Sequence, residues 1–433
     1  MSGESSNGED EALAVPDAQR FSELSDEFLI KILLFVPTKV AVSTSILSKR
    51  WEYLWMWLPK LDYGGRHYSP SDCEMLQCFL EKNLPLHRAP VIESFRLVCS
   101  SEFKAENIKL WVVIAVSRCL RKLKVYYSSY PMKPNILPSN LYTCKSLVIL
   151  KLEGNILLDV PRMGVLPSLK TLQLKRVIYF NEESLQRLLS NCPVLEDLLV
   201  DLREVDNMGK LTVVVPSLQS LSLYIPYNFD IDEIEIRTPF LKYFKLEDCN
   251  DKSHYCLVEN MPNLMEAYVE VGLDNIKSLI GSITSVKRLS ICISSKAMYD
   301  EGFVFNQLEH LKICFGEFSS NLLVRLLKDS SNLQVLDLSE MDDHCHEDMM
   351  VNWIQPSTVP ECMLLSLQTL KWWGYIGTPG ERDVAVYILK NVVHLKTMTV
   401  TSFEVEVPKF EMIKELALSS RASTACQLVF NCR

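Results

Sequence analysis

The first nineteen residues of this 433-residue chain contain no lysine and no arginine, while Glu4, Glu9, Asp10, Glu11 and Asp17 are acidic. A secretory or mitochondrial leader needs the opposite charge, so none is expected. The Ser, Gly and Glu content of residues 1–19 is that of a disordered acidic tail. Long apolar runs are also missing. The longest strongly apolar stretch, Leu110 to Val116, falls far short of the roughly 20 residues that span a bilayer, so no membrane partner is expected. An excess of positive charge is missing too. The net charge is −9, which argues against nucleic acid, whose binding proteins present a basic face. The compact basic runs are Arg121-Lys122 with Lys124, and Lys49-Arg50; elsewhere Lys and Arg are scattered along the chain.

Fourteen cysteines occur without a CxxC pair or regular spacing. Together with the missing leader, this predicts free thiols in a reducing compartment, cytoplasmic or nuclear. Histidine is scarce. His344-Cys345-His346 sits among Asp342, Asp343, Glu347 and Asp348, and alternation in a strand would put both histidines on one face. No second pair lies nearby to complete the four ligands of zinc, so the expectation is a solvated acidic loop and no metal. Glycine is sparse as well. Gly374, Gly377 and Gly380 form GYIGTPG, a position suited to a phosphate, but no Lys-Ser/Thr follows and the spacing fits neither standard fingerprint. A plain loop is expected. Nothing in the chain groups a Ser or Cys nucleophile with a His and an orienting acid. No catalytic residue and no cofactor are therefore assigned.

What the chain does have is a repeat, apolar-x-x-apolar-x-apolar. It runs from IESFRL at Ile92 and LRKLKV at Leu120 through LKYFKL at Leu241 and LQVLDL at Leu333 to LQTLKW at Leu367, LKTMTV at Leu395 and IKELAL at Ile413. Between Leu147, Leu169, Leu195, Leu218, Leu241, Leu264, Val286, Leu308 and Leu333 the steps are 22 to 26 residues. That period is the leucine-rich repeat. Each unit predicts one short strand, and several add a helix, most clearly Glu183 to Asn191 and Asn321 to Asp329. Strand, crossover, strand gives a parallel sheet with right-handed connections. Stacked, it gives a solenoid with its strands on the concave side. Irregular strand ends, with Asn at Asn155 and hardly elsewhere, predict an uneven arc.

Before the repeats, Arg20 to Leu58 reads as three short helices. Ser25 is placed to cap the first, whose apolar stripe is Leu29, Ile32, Leu33 and Val36. Pro37-Thr38 starts the second, and the third carries Leu47, Trp51, Leu54 and Trp55. About forty residues bury too little surface to stand alone, so part of this apolar surface must meet another domain or another protein. A further helix is expected over Cys73 to Leu84.

The segments LSDEFLIKIL, FVPTKVAVSTSILSKRW and YLW resemble an F-box of the kind found in large plant families. The chain has Leu24-Ser25 where the family usually has Leu-Pro. Pro360 to Phe430, with LQTLKW, the Gly-rich turn and SSRASTACQLVF, resembles the FBD domain that often follows an F-box and leucine-rich repeats. The resemblance implies an order of acidic tail (1–19), F-box (20–65), linker with a helix (66–90), leucine-rich solenoid (91–355) and FBD-like cap (356–433). The fold class is thus α/β, a small helical domain followed by a parallel-stranded solenoid.

The resemblance also implies the substrate-recognition subunit of an SCF-type (cullin–RING) ubiquitin ligase. The F-box would bind a Skp-type adaptor, and through it cullin and RING subunits. Leu24, Leu29, Ile32, Leu33, Pro37, Leu47 and Trp51 would be its contacts. The solenoid would hold a target protein. Strand alternation places Tyr243, Lys245 and Glu247, then Glu266, Tyr268 and Glu270, then Arg288, Ser290 and Cys292, then His310, Lys312 and Cys314 on the face opposite the leucines. Tyr243, Lys245, Glu266, Tyr268, Arg288, His310 and Lys312 are the candidate target contacts. Two alternatives stay open: an adaptor-independent scaffold, or a small-molecule sensor, which would need clustered basic residues on the concave side.

Overall fold

The computed structural model of the chain describes residues 24–204, 208–272, 276–293, 303–314, 319–339, 353–402 and 409–432. The acidic tail and the His344-Cys345-His346 loop lie outside them.

A fifteen-stranded sheet, parallel throughout, runs from the strand Lys60–Gly64 to the strand Gln427–Cys432. It begins inside the range expected for the helical domain and continues without a break through the C-terminal region. The repeat spacing has a local cause. In five units a proline follows a buried residue, and the first Leu of the motif closes a turn back onto that residue's carbonyl. Leu169 bonds to Leu166, Leu195 to Cys192, Leu218 to Val215, Leu241 to Thr238 and Leu264 to Met261, at 3.1–3.2 Å. Proline with its fixed φ suits the second position of such a turn. The next two apolar positions then enter the strand pointing inward. Leu221 and Leu223, Phe244 and Leu246, Ala267 and Val269, Leu289 and Ile291, and Leu311 and Ile313 are all fully buried or nearly so.

The layer behind the sheet is mixed. Helices Ala105–Val116, Glu183–Ser190, Ser319–Asp329 and Pro379–Asn391 occupy parts of it. Elsewhere the second half of the repeat is itself a strand. Lys210–Val214, Glu233–Arg237 and Tyr255–Val258 form one small parallel sheet; Asn135–Ile136, Ile156–Leu158 and Ile178–Tyr179 form another. Packed helices sit about 8–10 Å apart, whereas strands sit about 4.8 Å apart. Helical units therefore force the strand sheet to curve inward and strand units do not, which gives the uneven arc a physical basis. The repeat motif named one strand per unit and left these outer strands out, although LTVVV and EIEIR alternate visibly.

Three expectations are corrected. The final repeat, IKELAL, lies within a helix, Lys409–Leu418: Met412 and Leu416, four apart, are the buried pair, and Leu418 is exposed. The last strand comes later, at Gln427–Cys432. In the N-terminal domain the first two helices form, over Asp26–Leu33 and Thr38–Ser43, but the third does not. Short 3-10 turns at Thr44–Ile46 and Leu54–Trp57 replace it. Ser25 takes the capping position without a side-chain hydrogen bond; its carbonyl accepts from Phe28 and Leu29 at 3.0 and 3.1 Å.

The N-terminal domain is tied to the solenoid by polar links. Thr38 Oγ1 accepts from the Asp62 amide at 2.9 Å. His87, only 2% exposed, meets the Leu58 carbonyl through Nε2 at 3.0 Å. Burial lowers its pKa to about 4, with a smaller push from Arg118. A histidine depressed in the folded state leaves stability intact above its ordinary value near 6.5 and removes it as the pH falls towards 4. Acidification across that window is expected to cost on the order of 3 kcal/mol through His87. In His87→Gln, which keeps a donor but does not titrate, denaturant midpoints should fall less steeply with acid. An unchanged slope would mean that other groups carry the acid sensitivity.

Candidate functional site

Two surfaces carry the features expected of an interaction protein. The first is the N-terminal helical pair. Leu29 and Leu33 are fully buried and serve the domain's own core, which corrects their assignment as partner contacts. The helix must bury one stripe to hold its own domain, and these two residues, four apart, are that stripe. Leu24 and Trp51 are half-buried and pack on the core. Ile32, Pro37 and Leu47 are exposed. So are Phe28, Phe35, Val40 and Ile46, which sequence reading missed. Phe35 is 89% exposed and Ile46 86% exposed, while Leu29, Leu33, Leu54 and Leu58 of the same domain are buried. The signal for them lay in the stripe itself: apolar residues off its face cannot share its core. Arg50 braces the surface by pairing with Asp26 at 2.8 Å and donating to the Leu24 carbonyl.

The second surface is the open face of the large sheet. Register places Tyr243 beside Glu266, Glu266 beside Arg288 and Arg288 beside His310 in one row. Lys245, Tyr268, Ser290 and Lys312 form the next. The seven candidate residues therefore do come together as a grid. The Lys245 ammonium stands 4.5 Å from the centre of the Tyr268 ring and pairs with Glu247 at 2.7 Å. Arg288 pairs with Glu266 at 3.3 Å. Burial lowers the pKa of His310, with Lys371 and Arg288 adding to it against Asp337 and Glu266. The third row differs from expectation. Glu270, Cys292 and Cys314 are buried, and the two thiols form a small cluster with Tyr268, whose hydroxyl donates to Glu270 at 3.0 Å. Side chains at the strand ends lean together there, so alternation alone overstates what the face exposes. Toward the C-terminus an open cleft of about 530 Å³ continues the face, lined by Lys312, Asp337, Lys371 and Trp373 among others.

The GYIGTPG loop is already filled from within. Gly374 and Gly377 have positive φ, and a capping box joins Thr378 to Glu381. The buried Glu381 carboxylate accepts from the Ile376 and Thr378 amides at 3.2 and 2.9 Å, the donors that a phosphate would need. Among the described residues no group of three or more His, Cys, Asp or Glu is arranged to hold a metal ion. No described helix is long and apolar enough to cross a membrane. The described cysteines are free thiols.

The FBD family model matches residues 355–400, and a model described as "FBD-associated F-box protein At5g56370, LRR repeats" matches residues 108–256. FBD-associated F-box protein At4g10400 of Arabidopsis thaliana is 63% identical over 415 residues, covering 95% of this chain and all of that protein. The chain belongs to the plant F-box/FBD/leucine-rich-repeat family. FBD-associated F-box protein At5g38590 of the same plant is 52% identical, over 92% of this chain and 97% of its own length. Putative F-box/FBD/LRR-repeat protein At4g00315 is 45% identical, over 95% and 99%. The F-box/FBD/leucine-rich-repeat family is of the protein-interaction type, which accords with two surfaces built from exposed apolar, aromatic and charged side chains.

Proposed function

We propose that this protein is the substrate-recognition subunit of an SCF-type ubiquitin ligase, working with its partners in the cytoplasm or nucleus. The N-terminal domain docks on a Skp-type adaptor, and the adaptor brings cullin and RING subunits. The open face of the sheet holds a target protein near the ubiquitin-charged enzyme. The contribution to the reaction is proximity, which raises the effective concentration of target lysines. The chain itself supplies no catalytic residue in this reading. The observation that carries it is the exposed apolar surface around Phe35, Ile46 and Leu47 on a helical domain joined to a long sheet.

Target binding is assigned to the grid around Tyr243 and Tyr268, tyrosines flanked by charges of both signs, a composition common at protein hot spots. Tyr243→Ala with Tyr268→Ala, in a chain whose adaptor capture is intact, is expected to lower recovery of bound proteins by about tenfold or more. Recovery is to be quantified by mass spectrometry beside the wild type. Equal yields of every recovered protein would move the target site to the C-terminal FBD region.

A further inference from the structure

The sheet register assembles a charge cluster that the order of residues along the chain shows only in part. Arg96, Lys124 and Lys151 occupy one row on three successive strands, Arg96 beside Lys124 and Lys124 beside Lys151. Lys122 stands two residues before Lys124 on the same face. Lys175, one strand beyond Lys151, marks the edge, flanked in register by Glu153 and Asp201. Reading the chain in order showed the run Arg121-Lys122 with Lys124; pairing the strands sets Arg96 and Lys151 on either side of it.

The neighbouring carboxylates are committed to arginines and not to the lysines. Asp62 pairs with Arg96 at 2.6 Å, and Glu153 turns to Arg66 at 2.8 Å, whose guanidinium also lies 4.5 Å from the centre of the Tyr126 ring. Among the described residues, Lys122, Lys124 and Lys151 have no carboxylate within ion-pairing distance. All three are half-buried. Burial, and then the ammonium groups of Lys122, Lys124 and Lys175, lower the pKa of Lys151. Like charges directly opposite across a ladder repel, and partial burial removes the water that would screen them. Left bare, the cluster destabilises the sheet. An anion laid over it would remove that penalty.

We propose that this cluster docks an extended acidic segment of a partner protein, with carboxylates seated among Lys122, Lys124 and Lys151. The extent favours a peptide. From the strand of Arg96 to that of Lys175 there are three steps of about 4.8 Å, the reach of four or five extended residues. The flanking acids oppose a longer, uniformly charged chain such as nucleic acid. Asp197 and Asp201 stand on the next strand, and the protein carries a net charge of −9. The proposal extends the target side of the solenoid towards its N-terminal strands and does not depend on adaptor docking.

The test is a titration of the full chain into a labelled peptide of six alternating Asp and Glu residues, read by fluorescence anisotropy without adaptor. Lys124→Glu with Lys151→Glu is expected to weaken binding by about tenfold or more. Lys390→Glu with Lys396→Glu, an equal charge change on exposed residues of the C-terminal region, is expected to leave it within about twofold. Lys151→Met, which removes a half-buried like charge, is expected to raise the melting temperature of the free protein; a purely structural lysine would lower it. The proposal is overturned if the Asn/Gln version of the peptide binds equally well, or if the distant control loses as much affinity. Tighter binding of a single-stranded oligonucleotide of equal charge, or of pyrophosphate, at the same patch would overturn it too.

Discussion

Replacing Ile46 and Leu47 together by aspartate is expected to weaken capture of a Skp-type adaptor by on the order of a hundredfold or more, with the fold intact. Both side chains are largely exposed and neither belongs to the core. Burying one such side chain against a partner stabilises a complex by roughly 1.5–3 kcal/mol. Two of them correspond to roughly two to four decades of affinity before any penalty for a buried charge. The measurement is a dissociation constant for purified adaptor beside a thermal melt of each variant. Trp51→Ala should also weaken capture, but part of that loss reaches the domain's own core, on which Trp51 packs. Ser25→Pro should leave capture equal or improve it: Ser25 already has φ −67°, the value proline imposes. If the wild type shows no capture at micromolar adaptor, or the aspartate pair binds as the wild type does, the ligase reading loses its main support.

The second large effect concerns stability. His254→Ala is expected to cost about 3–5 kcal/mol, because it strands a carboxylate. Asp248 is 3% exposed, and its Oδ2 lies 2.9 Å from His254 Nε2. Its other oxygen accepts from the Asn250 amide at 3.2 Å, and His254 Nδ1 meets the Lys252 carbonyl at 2.9 Å. The loop 249–254 is thus folded back over this one pair. Burial disfavours the charged ring, but the close Asp248 carboxylate, with the Lys252 carbonyl, outweighs it and raises the His254 pKa. A histidine raised in the folded state holds its proton more tightly there than in the unfolded chain. Its stabilisation is complete below the ordinary value near 6.5 and is lost as the pH rises through the raised value. Denaturant midpoints of the wild type should therefore fall as the pH rises above about 6.5, while His254→Ala should be lower and flatter there. His254→Gln with Asp248→Asn should recover much of the loss, since no charge is left buried alone. Parallel alkaline slopes in wild type and His254→Ala would sink this account.

Burial lowers the pKa of both His87 and His254, and each meets a carbonyl; the signs differ because His254 also has the Asp248 carboxylate beside it, whereas His87 has Arg118. Nothing in the residue type distinguishes them, and both fall in segments of ordinary composition. Leu58 is reached by His87 through tertiary contact, and Asp248 by His254 through the folding back of one loop. Periodicity found the leucines because the core repeats at a fixed interval. It could not find the two histidines because their environments occur once.

What the sequence by itself determined was the architecture and the family. A repeat of 22 to 26 residues with a turn-closing leucine specifies a strand in each unit, and stacking such units leaves little choice but a parallel sheet. The F-box and FBD resemblances rest on local segments that spacing alone preserves. Which apolar residues of Arg20 to Leu58 face outward was decided by tertiary structure. A stripe names the residues that share a face, and only packing tells which of them meet the core, as Leu29 and Leu33 do, and which meet solvent, as Ile32 does. IKELAL was settled the same way: its spacing suits a strand or a helix, and burial of Met412 with Leu416 chose the helix. The lysine cluster is divided: Lys122 and Lys124 form a run in the sequence, and its extension to Lys151 and Arg96 belongs to the tertiary level. Lys124 and Lys151 are separated by a full repeat along the chain, and the register that sets them side by side exists only once the strands have paired.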